Sequence, residues 1–485
     1  MKLSELLVDI PVKEVHGSDD LDVTSIHQDS RDQNLDSSLY VAIFGTQVDG
    51  HDFIDEVIGK GAVAIVCEQL PETLSANVTY IQVKDAPKAL GIIAANFYGN
   101  STHDLTVIAV TGTNGKTSVV HYGGQLLQAL GEKPLVLSTA GDTFDGRPID
   151  IDRKAPSSLE VIELQRVART YLDQGATHLL IEATSQALDQ NRLASIDVDV
   201  GVFTNLGQDH LDYHETLERY MESKKRLFDG LSSESMAVYN ANDQHASLMV
   251  SDTEARIVSV GSAPEHDYTI TLESMDLESM TIDVAGRSLR VPVIGAFNVV
   301  NVGLVYAFLV ELGYQPEDLT SSIENLRSVP GRMEQVPNDH GILAIVDYAH
   351  SPDALENVLQ TLGQLPHKKI ITVFGCAGDR DPGKRIPMAQ LAERYSDLAI
   401  ATSDNPRTED PNSIIDQVCS GFTNHDTSIA IVDRREAIEY AVKQTTRGDI
   451  LLVAGKGDED YQDINNKKIH FDDREELARV LTKKS

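Results

Sequence analysis

Short apolar runs that stop at small or polar residues recur along the chain. They are VIAV at 107–110, HLLI at 178–181, ILAIV at 342–346, IITVF at 370–374, LAIA at 398–401 and ILLVA at 450–454. Each is followed by a segment with helical spacing. An apolar run without alternation suits a strand covered on both faces. Strands that alternate with helices fold as right-handed βαβ units around parallel sheets. The predicted class is therefore α/β. In such sheets ligands gather beyond the carboxyl ends of the strands, and the chemically distinctive segments of this chain begin where these runs end.

A length of 485 residues corresponds to about three domains of roughly 150 residues. The polar segment YGNSTHD at 98–104 and the turn SVPGR at 328–332 are the expected seams. They divide the chain into 1–100, a smaller α/β unit; 101–330, a central parallel-sheet unit with a phosphate loop; and 331–485, a Rossmann-like unit. Cys67, Cys376 and Cys419 are few, odd in number and far apart, which argues against a disulfide framework and for a reducing compartment. A net charge of −34 argues against a nucleic-acid surface, which would need a basic stripe. No apolar run approaches the roughly 18 residues of a membrane span. Charges come too early in MKLSELLVDIPVKE for a signal peptide. A cytoplasmic monomer is expected.

The run VIAV leads into TGTNGKTS (111–118) and then a helical segment. Gly112 and Gly115 let the backbone curl so that N–H groups face phosphate oxygens, and the helix adds the positive end of its dipole. Lys116 would reach the terminal phosphates and Thr117 would offer its hydroxyl to Mg²⁺. The strict motif asks for Gly where this chain has Val110, and a chance Gly-Lys-Thr turn is the alternative.

The segment 211–228 reads as one amphipathic helix with Leu217, Tyr220, Met221, Leu227 and Phe228 on a single stripe. Lys224 shares that stripe, whereas Lys225 and Arg226 point away. Its stem could snorkel to solvent. Alternatively, burial lowers its pKa and the neutral amine captures carbon dioxide as a carbamate, a carboxylate able to bind Mg²⁺. Glu182 ends HLLIE and His210 follows NLGQD; each is a capping or satisfied polar residue, or a further ligand for one of two Mg²⁺ ions on ATP.

Further strings complete the pattern: DSR (29–31), GTQVDGHDF (45–53), GAFNVVN (295–301), VPGRME (329–334), VDYAHSPDALENVL (346–359), FGCAGDRDPGKR (374–385), SDNPRTEDP (403–411) and AGKGDEDYQ (454–462). Together, in this order and over essentially the whole chain, they resemble the Mur ligase family, in particular its members that add the third residue to a UDP-linked muramoyl peptide. The resemblance implies an ATP loop of Gly112, Thr113, Asn114, Gly115, Lys116, Thr117 and Ser118. Asn298, Asn301, Arg332, Asp347 and His350 would also face the nucleotide. Thr117, Glu182, His210 and N6-carboxylated Lys224 would hold two Mg²⁺ ions, and Lys116, Glu182, His210 and Lys224 would be the catalytic set. The UDP-MurNAc-dipeptide would meet Ser30, Thr46, Gln47, Val48, Lys154, Ala155, Thr184, Gln190 and Arg192.

The implied reaction joins meso-diaminopimelate to the D-glutamate γ-carboxylate of UDP-MurNAc-L-Ala-D-Glu through an acyl phosphate. The incoming amino acid would meet Arg385, Asp404, Asn405, Pro406, Arg407, Gly455 and Glu459. Arg407 can grip the distal carboxylate that lysine lacks. L-Lysine is the alternative, because Asp458 stands where the family often has histidine and adds negative charge. Lys154 and Ala155 replace a threonine pair of the family, and Thr184 and Gln186 replace its Ser and His. Three rival readings are a P-loop hydrolase or GTPase, a folylpolyglutamate synthetase and a non-catalytic nucleotide-binding paralogue. The first lacks an Asn-Lys-x-Asp motif, and the second leaves DSR and GTQVDGHDF unexplained.

Overall fold

The structure is a computed structural model that describes residues 1–45, 48–151, 153, 158–207, 209 and 211–484. All six apolar runs are strands, and their burial explains their composition. In the strand Thr106–Thr111, Ile108 and Val110 enter one apolar core while Val107 and Ala109 enter the core on the opposite face. The C-terminal sheet repeats this division, with Leu343 and Ile345 on one side and Ala344 and Val346 on the other. Each fully buried Val, Leu or Ile contributes about 1.5–3 kcal/mol, so a polar residue at any of these positions would be costly.

Among the described residues, three large sheets follow one another along the chain, and Tyr461–Ile464 and Lys467–His470 form a fourth, two-stranded one. The first orders its strands Val12–His16, Thr79–Val83, Ala62–Cys67, Ser38–Val41 and Ser25–His27, parallel except for the first. The second has eleven strands. Its parallel centre runs Arg256–Gly261, Met236–Asn240, Val200–Phe203, Thr106–Thr111, His178–Glu182 and Pro134–Leu137. The third has six strands, with Leu343–Asp347, Ile450–Ala454, Ile370–Cys376, Leu398–Ser403 and Ser428–Ala430 parallel in that spatial order.

Two features depart from the sequence reading. Tyr268–Met275 pairs parallel to Arg256–Gly261, and beyond it antiparallel strands extend both edges of the central sheet: Met280–Val284 and Arg287–Val291 at one, Asp142–Phe144 and Arg147–Ile149 at the other. Met280–Val284 alternates buried and half-buried residues, as a strand with one wet face does, and therefore has no continuous apolar run. The segment 211–228 is also not one helix. It breaks between Leu211–His214 and Leu217–Asp229, because Glu215 adopts φ +65° and Thr216 caps the second helix by accepting a hydrogen bond from Arg219 N at 3.2 Å. Among the described residues, no helix is long and apolar enough to cross a membrane.

Candidate active site

Beyond Thr111 the chain turns through Gly112 (φ +146°) and enters the helix Lys116–Ala129 with Gly115 (φ +88°) at its N-cap. A Cβ on Gly112 would lie 1.9 Å from Thr204 Oγ1, so only glycine fits beneath that neighbour. The loop is tied to residues 204–207. Asn114 N donates to Asn205 Oδ1 at 3.0 Å, Thr204 Oγ1 donates to Asn114 O at 2.5 Å, and Gly207 N donates to Thr113 Oγ1 at 2.8 Å. Val110, the departure from the strict motif, is a core residue of the strand, which continues to Thr111. Thr117 and Ser118 are buried in the first helical turn.

Lys116 Nζ donates to Gly112 O at 2.9 Å and Thr113 O at 2.8 Å. Burial lowers its pKa, Glu182 and Asp209 oppose that change, and Arg332 adds to it. Lys224 Nζ donates to the same Gly112 carbonyl at 2.8 Å and lies 4.3 Å from the Tyr220 ring centre. The side chain is 1% exposed, so the lysine does not snorkel. Burial drives its pKa well below the ordinary lysine value, helped by Lys116 and opposed by Asp209. Lys225 and Arg226 do leave the stripe: Lys225 pairs with Asp229 and with Asp252, and Arg226 with Asp189.

Thr117 and Glu182 meet through a residue that the motifs do not single out. Thr139 Oγ1 lies 3.4 Å from Thr117 Oγ1, and Thr139 donates to Glu182 Oε1 from its N–H at 2.9 Å and its hydroxyl at 3.2 Å. Thr139 follows the strand Pro134–Leu137, so the strand-end rule points to it, but PLVL is too short to stand out. Behind it, His121 Nε2 bonds Ser138 Oγ at 2.7 Å; burial lowers the His121 pKa to about 4, with Glu182 opposing and Arg332 reinforcing. Among the described residues, no three His, Cys, Asp or Glu side chains converge as a metal cluster. His210 lies outside the described residues.

Asn301 puts its Oδ1 against the phosphate loop, 2.6 Å from where a Gly115 Cβ would be. Asn298 holds it there, accepting from Asn301 Nδ2 at 2.9 Å while donating to Ile294 O at 2.8 Å. From the third sheet, Arg332 stacks its guanidinium carbon 4.0 Å from the Tyr348 ring centre and lies 3.6 Å from Asp458 Oδ1. Asp347 accepts from Met333 N at 2.7 Å and Ala349 N at 2.8 Å; burial still raises its pKa. His350 bonds Tyr348 O at 2.9 Å, and burial, with Lys384 nearby, lowers its pKa to about 4.

Thr184, Gln190 and Arg192 form one cluster. Thr184 caps Ser185–Asp189 and lies 3.1 Å from Ser158 Oγ. Gln190 Oε1 accepts from Arg192 Nη2 at 2.7 Å, while its Nε2 donates to Tyr213 OH at 3.0 Å. Arg192 pairs with Glu160 at 3.1 Å, which accepts from Gln28 Nε2 at 3.1 Å. Ser158, Glu160 and Tyr213 were absent from the sequence reading. Gln28 stands two residues before Ser30, whose carbonyl accepts from Lys60 at 2.6 Å. Val48 is exposed. Thr46, Gln47, Lys154 and Ala155 lie outside the described residues.

A second cluster of polar side chains gathers at the ends of Leu398–Ser403 and Ile450–Ala454. Asn405 donates to Glu459 Oε2 at 2.7 Å and accepts from the wholly buried Lys456 at 3.2 Å. Buried Asp404 accepts from Asn405 N at 2.7 Å through Oδ1. Burial would raise its pKa, but Lys456 and Arg434 hold it below the ordinary carboxylate value. Its Oδ2 is buried without a hydrogen-bond partner among the described residues and would be 2.7 Å from a Cβ on Gly455 (φ +120°). Arg385 is 2% exposed and bonds Glu409 at 2.9 and 3.0 Å and Gln417 at 2.7 Å. After buried Pro406, Arg407 has φ +52° and its backbone bonds Asp463 O at 2.9 Å.

Comparison with known proteins adds names to these modules. Residues 23–98 match the Mur ligase family catalytic domain, 110–309 the Mur ligase middle domain, and 331–457 the Mur ligase glutamate ligase domain. The UDP-N-acetylmuramoyl-L-alanyl-D-glutamate–2,6-diaminopimelate ligase of Parabacteroides distasonis is 40% identical over 99% of both chains. The protein of the same name from Geobacter metallireducens is 40% identical, covering 99% of this chain and 98% of its own. A solved structure of a ligase with that name is 32% identical, with a TM-score of 0.72 over 100% of this chain and 99% of the other. The Mycobacterium tuberculosis folylpolyglutamate synthase complexed with ADP shares the fold, with a TM-score of 0.61 at 17% identity over 75% of this chain and 90% of its own. The chain belongs to the Mur ligase family.

Proposed function

We propose that the chain uses ATP to join meso-diaminopimelate to the D-glutamate γ-carboxylate of UDP-MurNAc-L-Ala-D-Glu, a step of cytoplasmic peptidoglycan precursor synthesis. The observation that carries this reading is the end-to-end likeness to relatives named for that ligation. Three working units are proposed: 1–100 for the UDP moiety, 101–330 for ATP and 331–485 for the amino acid.

The γ-carboxylate oxygen attacks the γ-phosphorus of ATP, and ADP leaves. The amine then attacks the acyl carbon of the acyl phosphate, loses a proton and expels phosphate. Such transfers depend on alignment and on screening of negative charge, so no enzyme nucleophile is needed. The curled loop 112–118 and Lys116 would cradle the phosphates, with Asn298, Asn301, Arg332, Asp347 and His350 closing the nucleotide site. Ser30, Thr46, Gln47, Val48, Lys154, Ala155, Thr184, Gln190 and Arg192 would hold the UDP-linked peptide.

The Thr117–Thr139–Glu182 chain is a hard-oxygen set that fits magnesium, which when bound would offset the phosphate charge. The depressed amine of Lys224 fits capture of carbon dioxide, and the resulting carboxylate with His210 would complete a second magnesium site. Arg407 would meet the distal carboxylate of diaminopimelate, and Asp404, Asn405 and Glu459 its ammonium end, with Arg385, Pro406 and Gly455 shaping the pocket. Asp458, whose charge favours the lysine reading, faces Arg332, and its negative charge is offset there.

The test is ADP release with UDP-MurNAc-dipeptide and either diaminopimelate or L-lysine. Turnover requiring diaminopimelate is expected. Robust turnover with lysine alone would overturn the choice of amino acid, and ADP release independent of any amino acid would overturn the ligase reading.

A further inference from the structure

Arg434 and Asp473 open two successive C-terminal helices, Arg434–Gln444 and Asp473–Lys483. Both side chains have no solvent exposure, and they pair through Nε–Oδ1 at 2.7 Å and Nη2–Oδ2 at 2.6 Å. A buried pair of this kind is weak evidence for stability, since desolvation offsets its attraction. Its guanidinium, however, has further partners. Nη2 donates to Ala454 O at 3.0 Å and Nη1 to Ser403 O at 3.5 Å.

Those two carbonyls end the strands that lead directly into Asp404 and Gly455. The strands are not neighbours, because Ile370–Cys376 lies between them. That middle strand stays paired with Leu398–Ser403 as far as Cys376 and Ser403, but its pairing with Ile450–Ala454 stops at Val373 and Val453. The sheet splits at its carboxyl edge, and no ladder bond fixes the width of the split. Arg434 spans it. The approach of the two loops is close, since a Cβ on Gly455 would sit 2.7 Å from Asp404 Oδ2.

We infer that Arg434, neutralised by Asp473, is a positioning residue that sets the spacing between the Asp404–Asn405 and Gly455–Glu459 loops and so the fit of the incoming diamino acid. The inference rests on the ligase reading above. Arg434 acts through the carbonyls of Ser403 and Ala454.

The experiment compares wild type with the apolar double variant Arg434→Met/Asp473→Leu and with Arg434→Lys, recording melting temperature and separate KM values for the amino acid, ATP and dipeptide. A folded double variant should show KM for diaminopimelate raised at least about tenfold and the other two KM values within about twofold. Arg434→Lys should fall between it and wild type. An unchanged amino-acid KM in the folded double variant, or a common rise in all three constants, overturns the inference. If the double variant does not fold, Arg434→Lys decides on the same split. Wild-type ADP release that ignores the amino acid would instead reject the ligase reading.

Discussion

Lys116 and Lys224 donate to one and the same acceptor, the carbonyl oxygen of Gly112, at 2.9 and 2.8 Å. Two ammonium groups so close repel each other, and burial penalises both charges. Lys224 has almost no solvent contact, and burial with Lys116 beside it drives its pKa well below the ordinary lysine value, which favours the neutral, nucleophilic amine. A neutral lysine beside a phosphate loop is suited to reaction with carbon dioxide and unsuited to phosphate binding.

Lys224→Ala and Lys224→Arg should therefore each lower ADP release by at least about a hundredfold. Arginine cannot rescue, because its guanidinium remains charged and forms no carbamate. Added bicarbonate should not restore either variant. Turnover near wild type in Lys224→Ala would remove the residue from the reaction.

Thr139 ties the Thr117 hydroxyl to the Glu182 carboxylate. Valine in its place keeps the shape, removes one donor to the carboxylate and breaks the hydroxyl chain. A hydrogen bond to a charged group contributes about 1.5–3 kcal/mol, so Thr139→Val should raise the magnesium concentration for half-maximal ADP release by roughly ten- to a hundredfold. An unaltered magnesium titration would show that the link is structural only.

Arg407 occupies a left-handed backbone conformation that costs a non-glycine residue on the order of 1 kcal/mol. Glycine there should relieve strain while deleting the guanidinium proposed to meet the distal carboxylate. The expected outcome of Arg407→Gly is a melting temperature no lower than wild type together with a KM for diaminopimelate raised about ten- to a hundredfold. A variant that melts earlier and binds diaminopimelate normally would contradict both halves of this reasoning.

What could be read in the sequence follows from how the chain buries its residues. Strands covered on both faces declare themselves as unbroken apolar runs, so 107–110, 178–181 and 450–454 were visible, and so were the residues just beyond them. Lys224 was visible because a cation on an apolar helical stripe breaks a regular pattern. Strands with one wet face, such as Met280–Val284, carry a weaker alternating signal and went unseen. So did the break at Glu215, since polar residues at 214–216 suit a helix surface as well as a turn. Arg434 and Asp473 stand 39 residues apart without a motif, and only the folded sheet brings them together. The assembly of Ser158, Glu160 and Tyr213 around Arg192 is likewise a tertiary result.

Asp458, one residue before Glu459, supplies a pH test whose sign can be fixed in advance. Burial pushes its pKa up to about 6; Arg332 and Arg474 pull it down, and Glu459 adds to the rise. In the unfolded chain an aspartate titrates near about 3.9. Between these values the folded protein holds more protons than the unfolded one, so this carboxyl's contribution to stability is complete below about pH 4 and is lost as pH rises through about 6. The full difference amounts to at most about 3 kcal/mol. Asparagine does not titrate, so the melting temperature of Asp458→Asn relative to wild type should climb as pH goes from about 4 to about 7. A relative melting temperature that falls over this range would mean that Arg332 dominates and holds the carboxylate low. In that case the residue would be an anion paired with Arg332, and its contribution to stability would be present at neutral pH and lost as pH falls.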